Sequence, residues 1–590
     1  MRKRLRRSRR PTSRTRYWGT NSRRRGTERP AIRVARAAAG TLAIVLAPSL
    51  ASPGASQEYR DVASEAGLSA VTGTGGPEKN HIAESTGTGL AVLDYDQDGL
   101  PDLYFPNAPS WDAPEGAWQA RSGVLYRNEG GRRFSDVTEA AGIVTDVYGQ
   151  GAVSADFDGD GFPDLYVTAL GPNLLFRNNG DGTFSEVGER AGAADPGWSI
   201  GAVFLDADGD RTLDLFVANY IETDEPAIRA GQRTRRWRGR VSVLDGPRGL
   251  VPQANRFFRG RGDGTFEDAT DASGIGDVPA RYSMGAVALD FDDDGDQDIF
   301  VANDSGPNDM LENRGGVFRD AGLFTGVALS ADGATQGSMG VAAADADEDG
   351  LPDLVVTNFA HDHYAFYRGV GPSLFLEDAV GAGMATATFR PLGWGALFFD
   401  ADNDGDLDIA FANGHLYPQV EDDPALGETY GQPDQLFLRD GGAYAMSELG
   451  PPARSSRGMA LIDVEGDGQW EIAVANQDDV PTLWARDTPA EGSWIRLRLV
   501  DPAGERDALG ARVTLVSPRQ SRSVRAGESY ASDSERILHF GLGSLGDSEA
   551  QPVEVEVRWP DGVAETHRAL AVNTTWLLRR GSAPVAVPPP

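Results

Sequence analysis

This sequence predicts an all-β fold: a seven-bladed β-propeller over residues 57–488, then a small β-sandwich-like domain over 489–580. Three observations carry that expectation. An acidic motif, first met as "DYDQDGLPDLY" from Asp94, occurs seven times. A second element, reading strand, glycine-rich turn, strand, alternates with it. The last acidic motif lacks the closing half of that second element, and a matching half stands alone ahead of the first motif, so the two ends complete one unit.

Residues 1–56 hold 15 Lys and Arg against the single acid Glu28. The apolar run from Ala37 to Leu46, followed by small residues and prolines, reads as a secretory signal peptide with a long basic leader. An uncleaved membrane anchor, or a leader added by a misplaced start codon, are the alternatives. The run is short for a spanning helix, and no other segment reaches that length. Beyond residue 56 stand 40 basic and 87 acidic groups, a net of −47. That field opposes nucleic acid and suits a solvated, cation-binding protein, while the signal peptide implies a secreted or cell-envelope location. With no cysteine, disulfides and thiolate chemistry are excluded.

The acidic motifs begin at Asp94, Asp156, Asp206, Asp290, Asp345, Asp400 and Asp463, with spacings of 62, 50, 84, 55, 55 and 63 residues. Five residues before each lies a glycine: Gly89, Gly151, Gly201, Gly285, Gly340, Gly395 and Gly458. Short apolar runs such as "AVFL" and "LFV" flank each motif, so each acidic loop joins two buried strands. The alternating element, as in "LYRNEGGRRFSDVTEAAGI" (125–143), ends in a glycine eight residues after its aromatic. "EYRDVASEAGL" (58–68) repeats only that second half, while the seventh motif is followed by "TLWARD" and a change of composition. The N-terminal strand is therefore expected to close the ring as the outer strand of blade seven.

Crowded carboxylates need a cation, and calcium, which takes about six to eight oxygens with tolerant geometry, is the expected partner. Carboxylates at loop positions 1, 3, 5 and 9 and the main-chain carbonyl at 7 are the expected ligands. In the first three loops these are Asp94, Asp96, Asp98, Leu100, Asp102; Asp156, Asp158, Asp160, Phe162, Asp164; and Asp206, Asp208, Asp210, Thr212, Asp214. In the next two they are Asp290, Asp292, Asp294, Asp296, Asp298; and Asp345, Asp347, Asp349, Leu351, Asp353. The last two offer Asp400, Asp402, Asp404, Asp406, Asp408; and Asp463, Glu465, Asp467, Gln469, Glu471. An EF-hand requires a carboxylate at position 12, which here is Phe or Val in every loop. Up to seven calcium ions are expected. The loops at 206 and 463 should bind more weakly: Arg211 replaces the glycine of position 6, and Glu465 and Glu471 replace aspartates.

The acidic loops resemble the FG-GAP, or VCBS-type, repeats of integrin-α-like propellers. "HIAESTGTGLAVLDYDQDGLPDLYFPN" and "FANGHLYPQV" are closer to the cartilage acidic protein family, and the stretch 493–562, with "VEVEVRWPDG", resembles the ASPIC/UnbV domain. The resemblance implies an extracellular, calcium-binding protein of adhesive or matrix type, with an unknown extracellular protein or glycan as partner. Residues 581–590, "GSAPVAVPPP", read as a disordered tail.

Signals of catalysis are weak. "GWSIG" (197–201) matches a nucleophile elbow, yet Gly201 is the repeat glycine and a calcium loop, not a helix, follows it, so Ser199 reads as a blade residue. "HDH" (His361, Asp362, His363) could help hold a transition metal, and His415 in "NGHLY" sits in an analogous position. The insert 221–254 accounts for the 84-residue spacing and carries six arginines over 229–240, either salt-bridged to the acidic propeller or free to meet an anionic glycan. A non-enzymatic interaction or adhesion module is the first reading. A calcium-dependent propeller enzyme acting on extracellular polysaccharide is the alternative.

Overall fold

The computed structural model describes residues 59–108, 122–222, 234–501, 506–544 and 552–588. The basic leader and the expected signal peptide lie outside the described residues, as do Arg229 and Arg233 of the insert. Among the described residues, no helix is long and apolar enough to cross a membrane.

Seven four-stranded antiparallel sheets follow one another along the chain. The first contains Ala91–Leu93, Asp102–Phe105, Val124–Asn128 and Phe134–Asp136, with each strand bonded to the next in sequence. The innermost strand of every sheet packs beside that of the following sheet, and the seventh returns to the first, which makes the sheets the blades of a closed propeller. Inner strands such as Ser199–Leu205 are buried along their whole length, as their unbroken apolar sequence requires. Blade three also carries the insert, whose hairpin pairs Thr234–Trp237 with Val241–Leu244.

Ring closure follows the expectation from the two chain ends. Tyr59, Arg60 and Asp61 pair with Arg486, Ala485 and Trp484, supplying the outer strand of blade seven. A second tie lies one turn further on, where the buried Lys79 ammonium meets Asp478 at 2.7 Å and donates to the Thr74 carbonyl. Burial lowers the Lys79 pKa to about 8 despite that carboxylate. The unfolded chain, with the ordinary value, then binds the proton more tightly between about pH 8 and 10.5. Stability contributed at this position should therefore rise with pH across that window. Urea midpoints of wild type and Lys79→Met at both ends of it check the sign.

The C-terminal strands form two sheets. One has Ser493–Asp501 between Leu538–Gly543 and the parallel strand Thr574–Arg579, and the other runs in the order Gln520–Ser523, Arg512–Leu515, Val553–Arg558, Ala564–Leu570. The expected disordered tail needs correction. Val585–Val587 is a strand paired to Thr574–Arg579, because the alternating "VAV" offers three main-chain partners to an open edge.

Between these sheets the chain makes an excursion that the sequence did not announce. Residues 526–535, "AGESYASDSE", enter the hub of the propeller. The main chain of this segment bonds to inner strands of five blades: Val341 exchanges two hydrogen bonds with Ser529, and Val92 and Ala152 donate to Asp533 and Ala531. Phe204 donates to Ala526, and Glu535 donates to Leu461. The Ser529 hydroxyl adds a sixth blade by accepting from Ala396. Tyr530 is fully buried, stacks edge-on against Trp394 at 4.9 Å and donates to the Thr86 carbonyl. Close approach of the plug and of the next blade's inner strand explains the repeat glycines. A Cβ on Gly89 would lie 1.8 Å from the Ala531 carbonyl oxygen, and one on Gly340 would lie 2.0 Å from that of Trp394 in the next blade.

Candidate metal centres

Each acidic loop sits between the inner strand of a blade and its neighbour, at one face of the ring. In the first loop Asp94 accepts the Gly99 amide at 3.1 Å, and Asp98 accepts the Leu100 amide at 2.9 Å. The same two bonds recur in the second loop, from Gly161 to Asp156 and from Phe162 to Asp160. The turn needs left-handed backbone at position 6, where Gly99 has φ +91°. These short-range bonds curl the loop so that its carboxylates face inward.

In at least five loops among the described residues, three carboxylates bring one oxygen each within 4.8 Å of one another. The groups are Asp94, Asp96, Asp102; Asp156, Asp158, Asp164; Asp206, Asp208, Asp210; Asp290, Asp292, Asp294; and Asp345, Asp347, Asp349. Buried oxygens at Asp94, Asp290, Asp292, Asp347 and Asp400 have no hydrogen-bond partner. Burial pushes Asp94, Asp156, Asp206 and Asp290 up to about 6, with neighbouring carboxylates adding to the effect. Orphaned carboxylate oxygens at matched positions fit a hard dication, which would lower those values again.

The ninth residue has a further duty. Asp102 accepts the Asn128 amide on one oxygen and the Tyr95 amide on the other, tying the loop to the third strand. Asp164, Asp214, Asp298, Asp353 and Asp408 repeat this pair of bonds. This residue is thus an architectural pin of the blade, with only its remaining lone pairs left for an ion.

The two divergent loops differ in kind. Arg211 adopts φ +69°, a conformation that costs a side-chain-bearing residue roughly 1 kcal/mol. Its guanidinium, however, turns out of the loop to pair with Asp501. In loop seven the cations point inward: Arg496 pairs with the buried Asp463, and Arg132 pairs with Glu465 at 2.7 Å and Glu471 at 3.1 Å. Guanidinium groups there already supply the charge that an ion would bring.

Arg496 belongs to a set the sequence reading missed. The C-terminal sheets cover the acidic face with arginines: Arg558 meets Asp290 and Asp293, Arg512 meets Asp293, and Arg519 approaches Asp345. The signal was present in "SWIRLRLV", where Arg496 and Arg498 alternate with leucines and make one strand face basic.

At the opposite face the histidines separate. His363 turns to Glu377 at 3.5 Å, whereas His361 and His415 converge on the two oxygens of Glu428, at 2.7 and 3.4 Å. His415 Nδ1 accepts the Tyr417 amide, so its proton resides on Nε2, which faces Glu428 and has no lone pair for a metal. Glu428 also accepts from the Trp237 indole at 2.7 Å and from Arg238 at 3.3 Å. Burial opposes its charge, but these hydrogen bonds outweigh burial and hold the carboxyl near 2. The cluster is therefore a latch that fixes the insert hairpin onto blades five and six. Ser199 is bonded to Asn219 within blade three and to Asn173 of blade two, as a blade residue should be.

Two protein-family profiles match the chain. The FG-GAP-like repeat profile matches residues 116–167, 156–217, 248–301 and 290–356, and the ASPIC and UnbV profile matches 501–585. The chain is 29% identical to human cartilage acidic protein 1 over 282 residues, and 28% identical over 279 residues to the protein of that name from Xenopus tropicalis. Those matches cover 45% of this chain and span about two fifths of the curated relatives, at 39% and 40% of their lengths. Among solved structures, YCF48 from Cyanidioschyzon merolae aligns with a TM-score of 0.38 at 10% identity, covering 72% of this chain and 98% of that one. The chain is thus a protein of FG-GAP-like repeats with a C-terminal ASPIC and UnbV region, related to cartilage acidic protein 1.

Proposed function

We propose that this protein is a secreted, non-enzymatic interaction module whose acidic loops bind calcium chiefly to hold the propeller together. The observation that carries the reading is the recurrence, at the same strand junction in at least five blades, of three inward-facing carboxylates. The carboxylates sit in β structure and several keep buried oxygens unpartnered, a pattern that favours a structural cation over a reacting group. Extracellular calcium is abundant enough to fill such sites, and in a chain without cysteine bound ions replace the disulfides that usually brace secreted proteins. The partner in this reading is an extracellular protein or glycan.

Calorimetric titration with calcium tests the loops one at a time. Asp98→Ala and Asp160→Ala should each remove one high-affinity site from the wild-type count. Asp467→Ala should leave that count unchanged, since two arginines, Arg496 and Arg132, pair with three carboxylates of loop seven, against a single arginine in each of loops one and two. Asp210→Ala should remove at most a weak site. An equal loss of one tight site in all four variants would overturn this ordering.

A further inference from the structure

We propose that the mouth of the propeller opposite the acidic loops is a binding site for one neutral sugar ring, held as a free monosaccharide or as the terminal residue of a glycan. This rests on the reading of the protein as an interaction module and adds the chemistry of what it binds. The inner strands end in the acidic loops at one face; at their other ends lies a cavity of about 290 Å³. Trp394, Tyr220, Tyr417, Phe359 and Trp237 give it aromatic walls. The plug closes the channel through Tyr530, which lies against Trp394, so the cavity is a cup and not a pore. Its size, at the lower end of small-molecule sites, suits a single ring.

Polar groups of both senses converge on these walls. Gln336 is only 5% exposed, and its amide nitrogen is committed to Asp362 at 2.8 Å and the His363 carbonyl at 3.1 Å. Its Oε1 is left without a partner. The Nε of Arg235 makes no hydrogen bond and lies 3.9 Å from the Asp245 carboxylate. Asp304, Asp245 and Asp362 face Arg235 and Arg248 around the same space, so acceptors and donors are nearly balanced in charge. Trp237 is set in place by the Glu428 latch before any ligand arrives, which reduces the ordering cost of binding.

This chemistry discriminates among ligands. A quaternary ammonium would meet the Arg235 guanidinium, which lies 5.2 Å from the Trp237 ring centroid and repels a second cation. An anion would face three carboxylates. A neutral sugar carries no charge to be repelled and offers apolar C–H groups to the aromatic walls, and its hydroxyls both donate and accept, which matches the unpartnered Gln336 Oε1 beside an Arg235 N–H that only a 3.9 Å ion pair engages.

Tryptophan fluorescence and saturation-transfer NMR on the full chain, with calcium present, test the site using methyl glycosides of the neutral hexoses and N-acetylhexosamines. Oligosaccharides ending in the best glycoside separate the two sources: tighter binding marks a glycan terminus, equal or weaker binding a free monosaccharide. At least one glycoside should bind wild type. Gln336→Leu should weaken it at least tenfold, as should Arg235→Gln on the insert hairpin, with melting temperature measured for both variants to show that each is folded. Silence of the whole panel, binding unchanged in both variants, or displacement by choline or inorganic phosphate would overturn the proposal. The calcium dependence of melting is read separately, so failure of the cation reading and failure of the sugar site leave different signatures.

Discussion

A chain ending after Arg486 is expected not to yield a stable folded propeller. All four strands of blade seven would be present, and by sheet pairing alone the ring would be complete. Removal of residues 526–535 would nevertheless strip hydrogen-bond partners from the inner strands at Val92, Ala152, Phe204 and Val341 and open the hub to water. It would also expose one side of a core in which Ile495, Phe540 and Trp559 pack together with Val153 and Phe204. Two point variants of the full chain grade the effect. Tyr530→Ala empties a fully buried aromatic position and should cost about 3–5 kcal/mol. Tyr530→Phe loses only the bond to the Thr86 carbonyl and should cost about 1 kcal/mol. Urea unfolding gives both values, and near-UV circular dichroism reports the truncated chain. A truncated propeller that melts like the full chain would sink this view of the hub.

Calcium removal is expected to have the second large effect. At free calcium about ten times the dissociation constant, a filled site contributes about 1.4 kcal/mol, and five such sites about 7 kcal/mol. For a chain of this size that corresponds to a fall in melting temperature of about 6 °C on adding a chelator. Asp94→Asn and Asp290→Asn should each recover part of that fall, because each leaves one ion fewer to lose. A melting temperature unmoved by chelator would falsify the structural role of the ion. The arginines on the acidic face bear on the size of the effect. Arg127 already pairs with Asp96 and Asp98, and Arg177 with Asp158 and Asp160, so an ion must compete with them or recruit them as outer neighbours.

Much of the architecture was legible because it is local and repeated. The motif glycines and aspartates recur at fixed offsets, each loop folds on bonds spanning five residues or fewer, and the half-element at residue 58 matches what blade seven lacks. The dual duty of Asp102 was less visible, since its partner Asn128 lies in the third strand and is fixed only once the blade forms. The latch was partly visible. His361 and His415 stood out as residue types, but Glu428 and Trp237 lie in separate segments that only the ring brings together.

What the chain alone decided is the blade: the alternation of acidic loop and hairpin, the carboxylate set within each loop, and the seam that closes the ring. Those follow from short-range hydrogen bonds and apolar periodicity, both written in residue type and spacing. Only the tertiary structure decided what fills the hub and what covers the acidic face. The plug "AGESYASDSE" is polar, without period, and bonds largely to main-chain groups, which carry no residue code. Its partners are chosen by where six blades converge, and that point exists only after the ring has closed.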